Sequence, residues 1–179
     1  MEPEYIELVL TVADSDTNVT DTLIRIDKND SMNVYSWRET ITKPSYWFKL
    51  KVTLYTNKKT GYKFYKIKIN NKTYILSRVV YKAYNNDWNI TDNSKNNFID
   101  HINKNSLDNR IENLRILTNQ QNQWNTNAKG YYWNKQRNKW QAQIKINGKS
   151  KHLGYFDNEE DARQAYLKGK ELYHKLPAK

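Results

Sequence analysis

Residues 98–122 read FIDHINKNSLDNRIENLRILTNQQN and place acid, base and amide side chains within one short stretch. A carboxylate and an amide oxygen are hard donors of the kind Mg²⁺ prefers, and that ion keeps its other positions for water and phosphate. An imidazole beside them has an ordinary pKa near neutrality, so it can take a proton from an attacking water. Together these groups suit metal-assisted phosphodiester hydrolysis, with the cation stabilising charge on the phosphoryl group and His101 acting as base. The surrounding residues supply the scaffold. Phe98 and Ile99 read as a strand delivering Asp100 and His101, and residues 114–117 read as a second short strand. Thr118 then suits the N-cap of a helix carrying Asn122. A strand, loop, strand and helix of this size can gather Asp100, His101, Asn113 and Asn122 onto one patch.

The string resembles the HNH homing-type endonuclease family, in the variant whose last histidine is asparagine. The resemblance rests on DHIN at 100–103, LDNR at 107–110, ENLR at 112–115 and QN at 121–122. It implies a one-metal mechanism with Mg²⁺, or Mn²⁺ in its place. Asp100 and Asn122 are then the metal ligands, His101 is the general base and Asn113 orients the imidazole. Asn109 competes for that last role; otherwise it belongs to a turn, since Asp-Asn pairs favour turns. Arg115 is expected on the DNA.

Composition bounds the partners. The 179 residues carry a formal charge of +11 and no cysteine, so disulfides and cysteine-held zinc are excluded. No apolar run reaches membrane-spanning length, and the acidic start lacks the basic flank of a signal peptide. The expectation is a soluble, intracellular monomer without a small-molecule cofactor, acting on double-stranded DNA rather than a membrane. Charge is strongly segregated. Residues 1–42 hold nine acids and three bases, whereas residues 43–82 hold eleven bases and no acid. Residues 83–128 are nearly neutral, and residues 129–179 hold twelve bases and five acids. Two basic blocks therefore flank the candidate site, as surfaces gripping phosphate on either side of a cut would.

Four segments are expected. Residues 1–42 form an acidic β-rich start, with strands at 5–12 and 22–26. Residues 43–97 form a basic ribbon and a short helix, with strands at 46–56 and 62–69 and an Asn70-Asn71 hairpin turn. Lys66 and Lys68 share a face with Phe64, and Lys63, Lys66 and Lys68 are phosphate contacts. The helix, 77–84, is similar to one preceding the HNH strand in the family, which usually has histidine where Ser77 stands. Residues 98–126 are the ββα-metal unit.

The fourth segment, residues 129–176, reads as a three-stranded sheet and one helix. Trp140, Ala142, Ile144 and Ile146 share a strand face, Asn147-Gly148 marks a hairpin, and Asp157 with Glu160 suggests a capping box. Ala162, Ala165, Tyr166, Gly169, Leu172 and Tyr173 make the inward helix stripe. The segment resembles the ethylene-response-factor type DNA-binding domain, through KWxAxI at 139–144, LGxF at 153–156 and AxxAY at 162–166. Such domains also occur fused to HNH nucleases of phages, viruses and mobile elements. The resemblance implies a sheet face that enters the DNA major groove. By strand parity that face carries Tyr132, Asn134, Arg137, Gln141, Gln143, Lys145, Lys151 and His152. Trp133 and Trp140 are expected in the core. The fold class is thus α+β and the expected activity a site-selective endonuclease; the alternative is a non-catalytic DNA-binding regulator with a relic HNH unit.

Overall fold

The computed structural model describes residues 2–15, 18–94, 96–126 and 128–177. The turn expected after the first strand includes residues 16 and 17, which lie outside the described residues. The chain forms two units, one of residues 1–92 and 99–115, the other of residues 93–98 and 116–179.

In the first unit, strands β1 (Tyr5–Ser15), β2 (Asn18–Asp27), β3 (Val34–Arg38) and β4 (Tyr46–Lys49) form an antiparallel sheet in chain order. Alternation buries Leu8, Leu10, Ile24, Ile26 and Val34 on one face. A second sheet follows, of β5 (Val52–Thr56), β6 (Lys63–Ile69) and β7 (Lys72–Ile75). The strand expected over 46–56 is therefore split. Leu50 N–H still bonds Val34 C=O in the first sheet, while Val52 begins pairing with β6. Asn70 and Asn71 both take positive φ, 43° and 62°, as a tight two-residue hairpin requires.

Helix α1 (Leu76–Tyr84) buries Leu76, Val79, Val80 and Ala83, the one-sided spacing of an amphipathic helix. These residues join Leu8, Ile24, Ile67, Ile69 and Leu114 in one hydrophobic cluster. The acidic start and basic ribbon thus share a core. Each sheet contributes one buried face to this core. Truncating Ile24 or Ile67 to alanine costs about 2–5 kcal/mol on the scale of core deletions. Beyond α1, Arg78 donates to the carbonyls of Ile90 (2.7 Å) and Asp92 (2.8 Å) and lies over Trp88, fastening the polar connection that follows.

Strands β8 (Phe98–His101) and β9 (Leu114–Leu117) form a two-stranded sheet, with a 3-10 turn at Ile111–Asn113 leading into β9. The division between units runs through both strands.

The second unit contains α2 (Asn119–Trp124), an antiparallel sheet of β10 (Tyr131–Asn134), β11 (Lys139–Ile146) and β12 (Lys149–Phe156), and α3 (Glu159–Tyr173). Ala162, Tyr166 and Gly169 are the buried positions of α3. A Cβ on Gly169 would lie 2.9 Å from Leu153 Cδ1, so glycine permits the close approach of helix to sheet. Two expectations change. Asn158, rather than Asp157, caps α3 by accepting from Asp161 N–H, and Leu172 is 61% exposed because the stripe has rotated past it. No helix among the described residues is long and apolar enough to cross a membrane.

Candidate active site

Thr118 caps α2 as its sequence suggests: its hydroxyl accepts from Gln121 N–H at 3.2 Å, while Gln121 Oε1 accepts from Thr118 N–H at 2.9 Å. The capping box starts the helix close after β9 and sets Asn122 on it. In the first unit, β8 ends on Asp100 and His101, both buried at 9% exposure although polar. Buried polar groups require partners, and each has one.

His101 Nε2 lies 3.2 Å from Asn109 Oδ1, and Asn109 Nδ2 faces Leu107 C=O at 3.4 Å. The amide nitrogen belongs on the carbonyl, which leaves Oδ1 to accept from His101 Nε2–H. In the neutral ring the lone pair then resides on Nδ1. The residue against the imidazole is therefore Asn109, not Asn113.

Asn113 serves the loop instead. Its Oδ1 accepts from Asn103 N–H at 2.9 Å, and its Nδ2 donates to Asp108 C=O at 2.7 Å. Asp108 is the hub of this loop and was not singled out from sequence. Its carboxylate accepts from Asn103 Nδ2 (2.8 Å) and from Arg110 Nε (2.9 Å) and Nη2 (2.8 Å). Chiefly through the hydrogen bond from Arg110, the Asp108 pKa falls to about 2. Ser106 Oγ donates to Lys63 C=O at 2.5 Å and ties the loop to β6. The DN pair read as a turn was the available sign that side chains, rather than a ladder, would shape 102–113.

Arg115 is also placed otherwise than expected. Its Nε donates to Asp100 Oδ2 at 2.9 Å, with the two side chains only 14% and 10% exposed. A guanidinium in such a site is held by its carboxylate, and here it orients Asp100 rather than offering an open phosphate contact. The Asp100 carboxylate, fixed by Arg115, is a hard oxygen donor of the kind Mg²⁺ takes, an ion that leaves its other positions to water and phosphate. Among the described residues no three His, Cys, Asp or Glu side chains gather into a metal cluster.

The ribbon keeps its expected faces. Ile67 and Ile69 are buried, Lys66 is half-buried over the Tyr55 ring, and Lys68 is exposed. Lys63 is exposed, but strand parity sets it on the opposite side from Lys66 and Lys68.

In the second unit the open sheet face carries Tyr132, Asn134, Gln141 and His152, with Arg137 from the β10–β11 turn. Asn134 Nδ2 donates to Gln141 Oε1 at 2.8 Å, and Gln141 Nε2 lies 3.4 Å from His152 Nδ1. Tyr155 belongs there too, though parity had not suggested it: its ring is 4.5 Å from His152 and 4.8 Å from the Arg137 guanidinium. The reason is a β-bulge. Pairing passes from Ala142↔Gly154 directly to Gln143↔His152, so Leu153 is the extra residue and parity changes across it. Lys151 consequently pairs with buried Ile144 and donates to Tyr173 Oη of α3 at 2.6 Å, which corrects its assignment to the open face. Gly154, at φ 145°, was the sequence sign of this bulge. Gln143 and Lys145 border a cleft of about 500 Å³ with Gln123 and Trp124 of α2. Trp133 and Trp140 meet edge to face at 5.7 Å, but Trp133 is 41% exposed, which corrects its assignment to the core.

Residues 76–124, from α1 through α2, match the HNH endonuclease family. Protein 3.8 of Escherichia phage T7 is 30% identical over 87 residues, which cover 44% of this chain and 72% of that relative. No solved structure matches the chain. The chain belongs to the family of phage T7 protein 3.8, and its residues 76–124 form an HNH endonuclease domain, which suggests a DNA endonuclease.

Proposed function

We propose that the protein is a metal-dependent, site-selective DNA endonuclease of homing character. The observation that carries this reading is the hydrogen bond between His101 Nε2 and the buried Asn109 Oδ1, which leaves the imidazole lone pair on Nδ1. His101 accepts a proton at Nδ1 from the water whose oxygen attacks phosphorus, and the bond to the leaving oxygen breaks. Asn109 Oδ1 holds the ring in that tautomer and strengthens its bond as the imidazolium forms. Arg115 keeps the Asp100 carboxylate in place.

By the motif's spacing, Asp100 and Asn122 are the residues that would hold a divalent cation, Mg²⁺ or Mn²⁺. The bound ion supplies charge stabilisation at the phosphoryl group and leaving oxygen. Lys66, Lys68 and Lys63 serve as backbone contacts. The second unit acts as an ethylene-response-factor type reader through Gln141, Asn134, Arg137, His152, Tyr132 and Tyr155, with Gln143 and Lys145 at its edge.

The test is incubation of the purified protein with supercoiled plasmid. Nicked or linear product with Mg²⁺ or Mn²⁺, stopped by chelator, is the expected outcome. Intact plasmid across metals and sequences leaves only the DNA-binding regulator.

A further inference from the structure

The first unit carries a face whose aromatic rings the nuclease reading does not use. On β6, Phe64, Lys66 and Lys68 point away from the buried Ile67 and Ile69, and the register sets Tyr55 of β5 beside Phe64. Tyr62, Phe64 and Tyr55 form a ladder of rings, with centroids 5.9 Å and 5.0 Å apart. Tyr62 is 53% exposed and Tyr55 40%. Lys66 Nζ stands 3.6 Å from the Tyr55 centroid.

Further along the same strand, Lys68 lines a cleft of about 580 Å³ with Lys51, Arg38, Trp37 and Phe48. There the Arg38 guanidinium lies 4.0 Å over the exposed Phe48 ring. Phe64 to Lys68 is roughly 13 Å of extended strand, so rings and cleft form one track.

Charge alone identifies a polyanion, since residues 43–82 contain eleven bases and no acid. The rings narrow the choice. In a duplex each base face is covered by its neighbours, and only the lysines would be engaged. In a single strand the faces are open, and stacking on aromatic side chains adds to the phosphate contacts. Interleaved rings and cations fit the second polymer better.

We propose that this face binds single-stranded DNA, with bases stacking on Tyr62, Phe64 and Phe48 and phosphates held by Lys66, Lys68, Lys51 and Arg38. The inference goes beyond the nuclease reading and needs neither His101 nor a metal.

The experiment measures fluorescence anisotropy of a labelled oligothymidylate and of a duplex of equal length, in chelator so that nothing is cut. Tyr62→Leu/Phe64→Leu keeps apolar bulk but removes the planes, and circular dichroism checks its fold. It should weaken single-strand binding about tenfold or more and duplex binding less than about twofold. In the unaltered protein, the oligonucleotide should also quench intrinsic tyrosine fluorescence. Lys66→Gln/Lys68→Gln should lower the single-strand salt slope by roughly 1.4. Equal losses by the leucine pair on both polymers, or no loss from that pair, would overturn the proposal. So would a dimer dissociated by the leucine pair with unchanged affinity for the single strand, because the face would then belong to a second copy. Since cutting is never read, failure here leaves the nuclease proposal standing, and the reverse also holds.

Discussion

At the scale of single residues, the roles of Asn109 and Asn113 separate by what each amide touches. Asn109 meets the imidazole, whereas Asn113 closes the loop behind it. Asn109→Leu leaves His101 Nε2–H without its acceptor, and cleavage should fall about tenfold or more, since an unsatisfied buried donor costs about 1–3 kcal/mol. Asn109→Asp restores an acceptor and should keep most activity. Its added carboxylate favours the charged imidazole, so the rising limb of the pH–rate profile should move to higher pH. Asn113→Ala should instead lower thermal stability and leave that limb in place. Full activity in Asn109→Leu alongside a shifted profile in Asn113→Ala would restore the assignment suggested by sequence. The motif reveals that amides are needed near His101 but not which one reaches the ring. That depends on hydrogen bonds across a loop with no periodicity to read.

At the scale of elements, the loop over 102–113 is held by side chains, and its hub is titratable. The folded-state pKa of Asp108, about 2, lies below its ordinary 3.8. Its contribution to stability is therefore complete above about pH 4 and is lost as pH falls from 3.8 through 2. Amide exchange at Asn103 and Asn113 should accelerate across that window. In Asp108→Asn it should be faster already at neutral pH and flat through the window; unchanged exchange in that variant would remove Asp108 as the hub.

Regular elements were the legible part of the sequence. Alternation, the Asn70-Asn71 and Asn147-Gly148 turns and the Thr118 cap each act over a few residues and emerge as local physics dictates. What escaped depends on contacts distant in sequence. The split of 46–56 follows from Leu50 joining β3, and the Lys151 reversal from one extra residue at Leu153. The shared core of segments expected to be separate comes from α1 and both sheets contributing apolar faces.

At the scale of the whole molecule, the roles proposed for the basic ribbon and the open sheet face divide grip from choice. Neutralising Lys68 should weaken binding across all sequences and lower the salt slope by roughly one unit on duplex sites. Gln141→Ala should instead cost about 1–3 kcal/mol at preferred sites and relax selection at particular base pairs. Titrations on preferred and scrambled duplexes at several salt concentrations separate the two. A chain truncated near residue 129 that kept full site preference would move the reading function out of the second unit. His101 is proposed as the base for phosphodiester cleavage. Its most direct test compares plasmid cleavage by the unaltered protein and by His101→Ala in Mg²⁺, with DNA affinity measured on the same preparations. His101→Ala should bind DNA with nearly unchanged affinity and not cut it; cutting at the normal rate by that variant would contradict a role for His101 as the base.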